Sequence, residues 1–329
     1  MSNEVLTNLT RDNPHLSRPK PGLVHASAVD CTCLPEAVAS YVRDSLAENT
    51  RRAYQSDLRH FEVWGGSLPA SPKTVAAYLA AYADSLSVTT LIRRLASLSK
   101  AHQLRGLSNP IPSELVRATL RGIKRKRRRT ALQAKPLLRD DLLLVLDAIG
   151  SGLKDLRDRA VLLIGFAAAL RRSELVGLDV ADVEHVRRGI VLHLRRSKTD
   201  QDGQGHTIAI PYGRSRWCPV ACLDAWLSTS GITENAIFRP IDRHGRVCAT
   251  RLSGEAVSII VRERIAAAGL DPVGYSGHSL RAGLATSAAQ AGVPAWRIKA
   301  QTRHASEAML AHYIRQGELF TDNAAGALL

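Results

Sequence analysis

Apolar residues recur at helical spacing between residues 34 and 125, where Tyr54, Leu58 and Phe61 share one predicted helix face. Pro, Ser and Thr stand where helices would begin. Helices are predicted from 49 or 50 to 64 with Asn49 or Thr50 as cap, from Ser71-Pro72 onward, from Thr89 or Thr90 onward, and from 113 to about 125. Several short helices in succession predict a small helical domain over residues 34–123.

From residue 137 the pattern mixes helical with alternating stretches. Residues 190–194 and 207–211 alternate as strands do, on either side of a polar turn at 200–205. Helices are predicted over 139–149, 156–170, 220–228, 254–268, 279–291, 295–302 and 306–314. We therefore expect a mixed α+β domain over 137–316 with a small antiparallel sheet, in a mainly α chain.

Three further segments lack this periodicity. Residues 1–33 contain several Pro residues, which indicates a flexible arm. Residues 115–139 hold ten basic residues and no acidic one, so self-repulsion favours an extended linker over 124–136. The tail 317–329 is apolar and small, and we expect it to dock on a neighbouring copy of the chain rather than on its own domain.

The composition limits the classes of binding partner that this chain could have. The net charge of +15 attracts polyanions, of which nucleic acid is the first candidate, an anionic membrane surface the second, and a merely solubilising excess the ordinary explanation. The longest apolar run, 160–170, is shorter than the roughly 20 residues that span a bilayer. Five cysteines without paired spacing predict reduced thiols in a cytosolic protein, and no metal site.

Polar groups that core packing does not explain occur in four separated segments. They are Arg171 with Glu174, Lys198 in the predicted hairpin turn, His278 with Arg281, and His304 with Tyr313 nine residues later. Taken singly, each has an ordinary explanation: a surface ion pair, a solvated lysine, a helix cap, and a half-buried tyrosine. His304 and His312 do not have the spacing of a metal-ligand pair.

In this order, the four segments resemble the tyrosine recombinase (phage integrase) family, from about residue 34 to the C-terminus. Gly277-His278-Ser279 and His312-Tyr313-Ile314-Arg315 resemble one member of the family in particular. The resemblance implies a helical, SAM-like core-binding domain followed by the mixed α+β catalytic domain. One departure concerns glycine, which the family commonly has before the Arg171 and His304 positions. Here Ala169-Leu170 and Arg303 stand there.

The resemblance also implies the chemistry. Tyr313 would attack the scissile phosphorus, giving a 3′-phosphotyrosine and a free 5′-hydroxyl, so that no ATP is needed. His278 would assist proton transfer at Tyr313, and Lys198 would protonate the departing 5′-oxygen.

The remaining implied roles concern the phosphate. Arg171 and Arg281 would hold its non-bridging oxygens, with His304 as a third donor. Glu174 would orient these neighbours without touching the phosphate. These cations would stand in for a metal, and no cofactor is expected.

Double-stranded DNA is the implied partner, bound by a monomer or dimer on one site and by a homotetramer in the complex that joins two sites. No membrane association is expected from a cytoplasmic, nucleoid-associated protein of bacterial or phage origin. A type IB topoisomerase or telomere resolvase shares this chemistry. A catalytically inactive DNA-binding protein would share the DNA-binding features, and the basic run alone would also suit an RNA-binding protein.

DNA contacts are predicted at basic residues and on one helix. Phosphate contacts are expected from Arg51, Arg52, Arg59, Arg93, Arg94, Lys124, Arg125, Lys126, Arg127, Arg128 and Arg129. Glu255, Ser258 and Arg262 share one face of a predicted helix within 251–264. That face could read bases in the major groove, or it could be an ordinary solvated face.

Overall fold

The computed structural model describes residues 41, 48–127, 134–195, 205–303, 311 and 313. The predicted arm, most of the hairpin turn, most of helix 306–314 and the predicted tail lie outside these residues. The chain divides into two compact units, Met1–Thr130 and Ala131–Leu329.

The first unit is helical. Its helices are α1 (Glu48–Val63), α2 (Pro72–Ala81), α3 (Val88–Leu104) and α4 (Glu114–Lys126). Each of the last three begins after a serine whose hydroxyl accepts a hydrogen bond from the backbone N–H three residues on; these are Ser71, Ser87 and Ser113. The predicted start of α3 is two residues late, because Ser87, and not a threonine, is its cap. Asn49 and Thr50 lie inside α1 and do not cap it.

One apolar cluster holds these helices together. Phe61, Tyr78 and Leu79 are buried against Leu91 and Leu98. The face predicted for α1 is the one that packs inward, since Phe61 is buried and Leu58 is packed beside it. The predicted helical domain is confirmed.

The second unit combines helices with a small sheet. Its helices are α5 (Arg139–Asp147), α6 (Leu153–Ala167), α7 (Arg172–Gly177), α8 (Pro219–Ser230), α9 (Gly254–Ala267), α10 (His278–Gln290) and α11 (Ala295–Thr302). The strands are β1 (Val183–Val186), β2 (Gly189–Leu194) and β3 (His206–Pro211), antiparallel in the order β1-β2-β3. The predicted mixed α+β class with a small antiparallel sheet is confirmed.

The sheet buries one face. Ile190 pairs with Ile210 and Leu192 with Ile208, and all four side chains are buried. Strand β1 is not among the strands predicted from the sequence, because its residues are exposed except for half-buried Val183. A strand that covers almost no core shows no alternation of apolar and polar residues.

Helix α6 lies at the centre of the unit. Val161 and Ile164 belong to the apolar cluster that reaches the sheet and α8, while Leu162 and Leu163 belong to a second cluster with α5, α9 and α10. A helix buried on opposite sides is apolar all round, which explains the long apolar run. Its end fixes the position of Arg171, four residues after Ala167.

The segment that precedes α5 is bonded to α10. The N–H of Leu137 donates to the carbonyl oxygen of Ser279 at 3.0 Å. Gly283 makes the approach possible, because a Cβ built there would stand 1.8 Å from the Leu137 carbonyl oxygen. The N–H of Arg139 also donates to the Ser287 hydroxyl. Residues 137–139 therefore lie directly on α10.

The basic run begins inside a helix, contrary to the expected extended linker from residue 124. α4 continues through Lys124, Arg125 and Lys126, whose charges suit the partial negative charge at a helix C-terminus. Arg127 ends the helix, and its guanidinium donates to the carbonyl oxygens of Leu86 and Asp84. Arg128 and Arg129 lie outside the described residues.

Among the helices that the structure describes, none is both long enough and apolar enough to cross a membrane.

Candidate active site

Tyr313 lies beside His278. The Tyr313 hydroxyl and Nε2 of His278 are 2.9 Å apart, which is hydrogen-bonding distance. Tyr313 is only 4% exposed and packs with Ala282 and Ala285 of α10. His278 is the first residue of that helix, directly after Gly277. The tyrosine oxygen therefore has a proton acceptor within reach.

The protonation states of this pair suit proton transfer from tyrosine to histidine. Burial, together with the charges of Arg281, Arg171 and Arg172, holds the pKa of His278 below its ordinary value of 6.5. Burial raises the pKa of Tyr313 above 10, although the charge of Arg281 opposes this. At neutral pH the imidazole is uncharged, so it can accept the phenolic proton.

Arg281 lies one turn along α10 from His278 and is 1% exposed. Its Nη1 donates to the carbonyl oxygen of Ala169 at 2.8 Å. Its Nη2 is buried without a hydrogen-bond partner among the described residues. Burial and the nearby charge of Arg171 lower the pKa of Arg281 to about 10, so it stays charged at neutral pH. A charged guanidinium with an unused N–H can bind a phosphate oxygen.

Glu174 connects two arginines. Its carboxylate accepts from the backbone N–H of Arg171 at 2.9 Å and from Nη1 of Arg171 at 2.6 Å. Nη2 of Arg303 donates to Oε2 of this carboxylate at 2.9 Å. The Glu174 side chain is only 2% exposed, so this is not the surface ion pair of the ordinary explanation.

The charge of Glu174 is stabilised by these partners. Burial opposes its ionisation, but the charge of Arg303 and the hydrogen bonds from Arg171 outweigh burial. The pKa of Glu174 therefore lies below its ordinary value, and the carboxylate is ionised at neutral pH.

The backbone before Arg171 takes an uncommon conformation. Ala169 has φ 48°, in the left-handed region that favours glycine. The carbonyl oxygen of Ala169 is the acceptor for Arg281, so this turn joins the two predicted phosphate-binding arginines.

The structure thus brings together Arg171, Glu174, His278, Arg281 and Tyr313. Lys198 and His304 lie outside the described residues. Within the part of the chain that the structure describes, no group of three or more His, Cys, Asp and Glu side chains could hold a metal ion.

The predicted base-reading face is wrong at one of its three residues. Ser258 is 1% exposed, and its hydroxyl accepts from Nη1 of Arg172 at 3.0 Å and from the N–H of Gly277 at 3.3 Å. The register of α9 turns Ser258 inward, where it holds the start of α10. Glu255 and Arg262 remain accessible at the surface, where Nη2 of Arg262 lies 3.6 Å from Oε1 of Glu255.

Arg172 is a site residue that the sequence analysis did not single out. Besides Ser258, its Nη1 contacts Glu255 at 3.2 Å. These partners lie more than 80 residues away in sequence, so no local pattern could have indicated the contact.

In the first unit, the prediction for Arg94 is wrong. This arginine is 8% exposed and donates to the Tyr78 hydroxyl at 2.7 Å and to Nδ1 of His60 at 2.8 Å. Asp57 lies 3.7 Å from its Nε. Arg94 belongs to the interior of the helical unit, because α3 turns it away from its exposed neighbour Arg93.

Other predicted phosphate contacts are accessible. Arg52 and Arg59 are exposed on α1, Arg51 is half-buried there, and Arg93 is 44% exposed although it pairs with Asp57. Lys124, Arg125 and Lys126 are exposed at the end of α4.

Comparison with known protein families shows to which family the chain belongs. Residues 135–318 match the phage integrase family, and residues 41–105 match the N-terminal SAM-like domain of phage integrases. The chain is a tyrosine recombinase of the phage integrase family. This recombinase is 40% identical over 290 residues to an integrase/recombinase xerD homolog of Selenomonas ruminantium, over 85% of each chain.

The family member that the motifs at His278 and Tyr313 resemble is Cre. The recombinase is 26% identical over 312 residues to Recombinase cre of Escherichia phage P1, over 87% of this chain and 88% of Cre. The predicted homology to Cre is confirmed, although the sequence identity to the Selenomonas protein is higher than the identity to Cre.

The fold also matches a solved structure. A lambda integrase tetramer bound to a Holliday junction aligns with a TM-score of 0.61 at 18% identity, over 91% of this recombinase and 81% of that chain. This similarity supports the tyrosine recombinase fold.

Proposed function

We propose that this recombinase exchanges DNA strands between two target sites through a covalent 3′-phosphotyrosine link to Tyr313. The observation that carries the proposal is the 2.9 Å contact between the Tyr313 hydroxyl and His278. Burial and three neighbouring arginines favour the neutral imidazole, which can accept the proton that tyrosine must lose.

The cleavage step balances without a further reactant. The Tyr313 oxygen attacks the scissile phosphorus, its proton passes to His278, and the bond from phosphorus to the 5′-oxygen breaks. Lys198 gives the departing oxygen a proton. Rejoining is the reverse reaction with the 5′-hydroxyl of another strand, so the energy of the ester bond is kept and neither ATP nor a metal is needed.

Cationic side chains stabilise the negative charge that develops on the phosphate. Arg281 and Arg171 bind the non-bridging oxygens, and His304 adds a third donor. Nη2 of Arg281 supports this assignment: it is buried and has no hydrogen-bond partner in the part of the chain that the structure describes, and such a charged donor is costly until an anion arrives. Glu174 keeps Arg171 in place through two hydrogen bonds.

Duplex DNA is the proposed substrate. The exposed cations of α1 and α4 contact phosphates without regard to sequence. Glu255 and Arg262, at the surface of α9, are the proposed base readers, with Glu accepting from cytosine and Arg donating to guanine.

Four protomers act together in the proposed exchange, because two sites require four strand cuts. The lambda integrase tetramer on a Holliday junction supports this stoichiometry by analogy. The tail 317–329 is proposed to dock on the neighbouring protomer and so to close the ring.

The replacement Tyr313→Phe tests the function. A suicide substrate, nicked so that the short fragment carrying the freed 5′-hydroxyl diffuses away, traps the covalent adduct on a denaturing gel. We expect wild-type protein to form the adduct and Tyr313→Phe to form none while keeping its affinity for DNA. Tyr275→Phe, at a half-buried tyrosine of the same unit, is the matched control and should form the adduct normally.

Two outcomes would contradict the proposal. An adduct formed by Tyr313→Phe would place the nucleophile elsewhere. Relaxation of supercoiled DNA without exchange between two sites would favour a topoisomerase.

A further inference from the structure

Arg303 ends α11 in a left-handed backbone conformation, with φ 55° and ψ 42°. Residues with a Cβ rarely adopt this conformation, whereas glycine does so freely. Glycine is also what the family commonly has at this position. The surrounding structure keeps Arg303 in this conformation: its backbone N–H donates to the Lys299 carbonyl oxygen at 2.7 Å, and its side chain is fixed as well.

The contact that holds it is an ion pair inside the active site. Nη2 of Arg303 lies 2.9 Å from Oε2 of Glu174, with the two side chains 9% and 2% exposed. Nε and Nη1 of Arg303 are buried and find no hydrogen-bond partner in the described part of the chain. A cation this buried does not serve solubility, and it is costly unless its charge is used.

The balance of charges around Glu174 suggests what the positive charge of Arg303 does. Glu174 is hydrogen-bonded to Arg171, and a carboxylate at that distance cancels much of the arginine's charge as a phosphate would feel it. Arg171 and Glu174 alone would be neutral as a pair. With Arg303 on the same carboxylate, two guanidinium groups stand against one negative charge, and the group is cationic again.

The influence of Arg303 extends to the other phosphate-binding arginine. Burial and Arg171 are the larger causes of the lowered pKa of Arg281, and the charge of Arg303 lowers it further. Arg303 is therefore close enough to contribute to the potential that the phosphate meets.

We propose that Arg303 is a positioning residue for strand cleavage, which neutralises Glu174 so that Glu174 can hold Arg171 without cancelling its charge. The inference rests on the proposed phosphotyrosine chemistry. Negative charge increases at the phosphate on the way to the transition state, so the effect of Arg303 falls on the cleavage rate more than on DNA binding.

A matched pair of variants tests the charge. Arg303→Gln removes it and Arg303→Lys keeps it, with a Cβ at the same left-handed position in both. We expect Arg303→Gln to slow single-turnover cleavage of the suicide substrate by about tenfold or more, less than the roughly 10²–10³-fold cost of losing a direct donor. The Kd for DNA should change by less than about threefold, and Arg303→Lys should recover most of the rate.

A second variant provides a test that a merely structural role would fail. If Arg303 compensates the charge of Glu174, its loss should matter less once that charge is gone. The double variant Glu174→Gln/Arg303→Gln should therefore cleave faster than Arg303→Gln alone. Two independent structural defects would instead add, and the double variant would be slower.

Arg264→Gln is the control for losing a buried arginine in the same unit. Arg264 pairs with Asp158 at 2.6 Å with 14% of its side chain exposed. Its loss should lower the Tm but leave the cleavage rate unchanged at a temperature where the variant is folded. If Arg303→Gln proves unfolded, Arg303→Gly takes its place, because glycine suits the left-handed backbone.

The outcomes separate this inference from the proposed function. A wild-type rate in folded Arg303→Gln or Arg303→Gly, no recovery in Arg303→Lys, or a slower double variant overturns the role of Arg303 alone. If wild-type protein forms no covalent adduct, the proposed phosphotyrosine chemistry fails as well.

Discussion

Each unit of this recombinase buries an arginine beside a histidine, and the two arginines are held in opposite ways. Arg94 is surrounded by acceptor side chains: the Tyr78 hydroxyl, His60 and, at 3.7 Å, the Asp57 carboxylate. Arg281 donates to one backbone carbonyl, and its Nη2 has no partner among the described residues.

The difference shows that burial alone does not identify a functional arginine. Both side chains are at least nine-tenths buried, and each, together with burial, lowers the pKa of its neighbouring histidine. What differs is the number of acceptor side chains: Nη1 of Arg94 meets two of them, although its Nε is buried without a hydrogen-bond partner among the described residues. Arg94 is paired within its own domain, whereas the proposed phosphate would supply the interaction that Nη2 of Arg281 lacks among the described residues.

The largest expected effect is on catalysis in the second unit. Arg281→Gln should slow single-turnover cleavage by about 1000-fold, because it removes a buried donor to the transition state. The free energy of unfolding, measured in urea, should not fall, because none of the described carboxylates forms an ion pair with this buried cation, and an unpaired buried cation stabilises little. A large loss of stability in this variant would show that the two arginines are alike after all.

The opposite pattern is expected in the first unit. Arg94→Met should lower the free energy of unfolding by about 3 kcal/mol, since it leaves the buried Tyr78 hydroxyl and His60 without their shared donor and Asp57 without its buried cation. The cleavage rate of the folded fraction should stay unchanged at saturating protein. Arg93→Ala is the control: it pairs with the same Asp57 but is 44% exposed, so about 1 kcal/mol or less is expected.

The pH dependence of cleavage sharpens the comparison further. Because the pKa of His278 lies below 6.5, the neutral base persists to lower pH, and cleavage should decline only on acidification below 6.5. Arg281→Gln removes a charge that lowers this pKa, so the acid limb of its residual activity should move to higher pH. Arg94→Met should raise the pKa of His60, followed by NMR, without moving the acid limb.

Exposed cations should behave unlike either buried arginine. Replacing Lys124, Arg125 and Lys126 by Ala should flatten the log–log salt dependence of DNA binding by about 0.9 for each phosphate that is no longer neutralised. Binding to all sequences should weaken alike, and stability should fall by no more than about 1 kcal/mol for each cation lost from the helix C-terminus. A changed base preference at an unchanged slope would contradict a phosphate-binding role for the end of α4.

Local chemistry explains which features the sequence could predict. Ser71 and Ser113 cap helices through bonds to residues three positions on, and apolar spacing reveals the inward face of α1. The paired arginines 93 and 94 show the limit: adjacent residues on a helix point about 100° apart, and only the packed partners decide which one is buried. Ser258 was misplaced for the same reason.

Contacts across the chain could not be predicted. Glu174 and Arg303 are 129 residues apart, and neither neighbourhood indicates the other. The sequence shows that Arg303 stands where the family commonly has glycine, but it does not show in which direction the Arg303 side chain points. The four segments with catalytic residue types could be recognised only through their order.

The hydrogen bond between Leu137 and α10 means that a force on the beginning of the second unit is transmitted to α10. The chain that enters this unit is bonded through Leu137 to Ser279, the residue directly after His278. A pull on the entering chain would therefore load the turn at Gly274, to which Lys135 is bonded at 2.9 Å, and next the first turn of α10 with His278 and Arg281. At Gly283 the backbone of α10 lies directly against the backbone of Leu137, so the two segments can shift very little relative to each other.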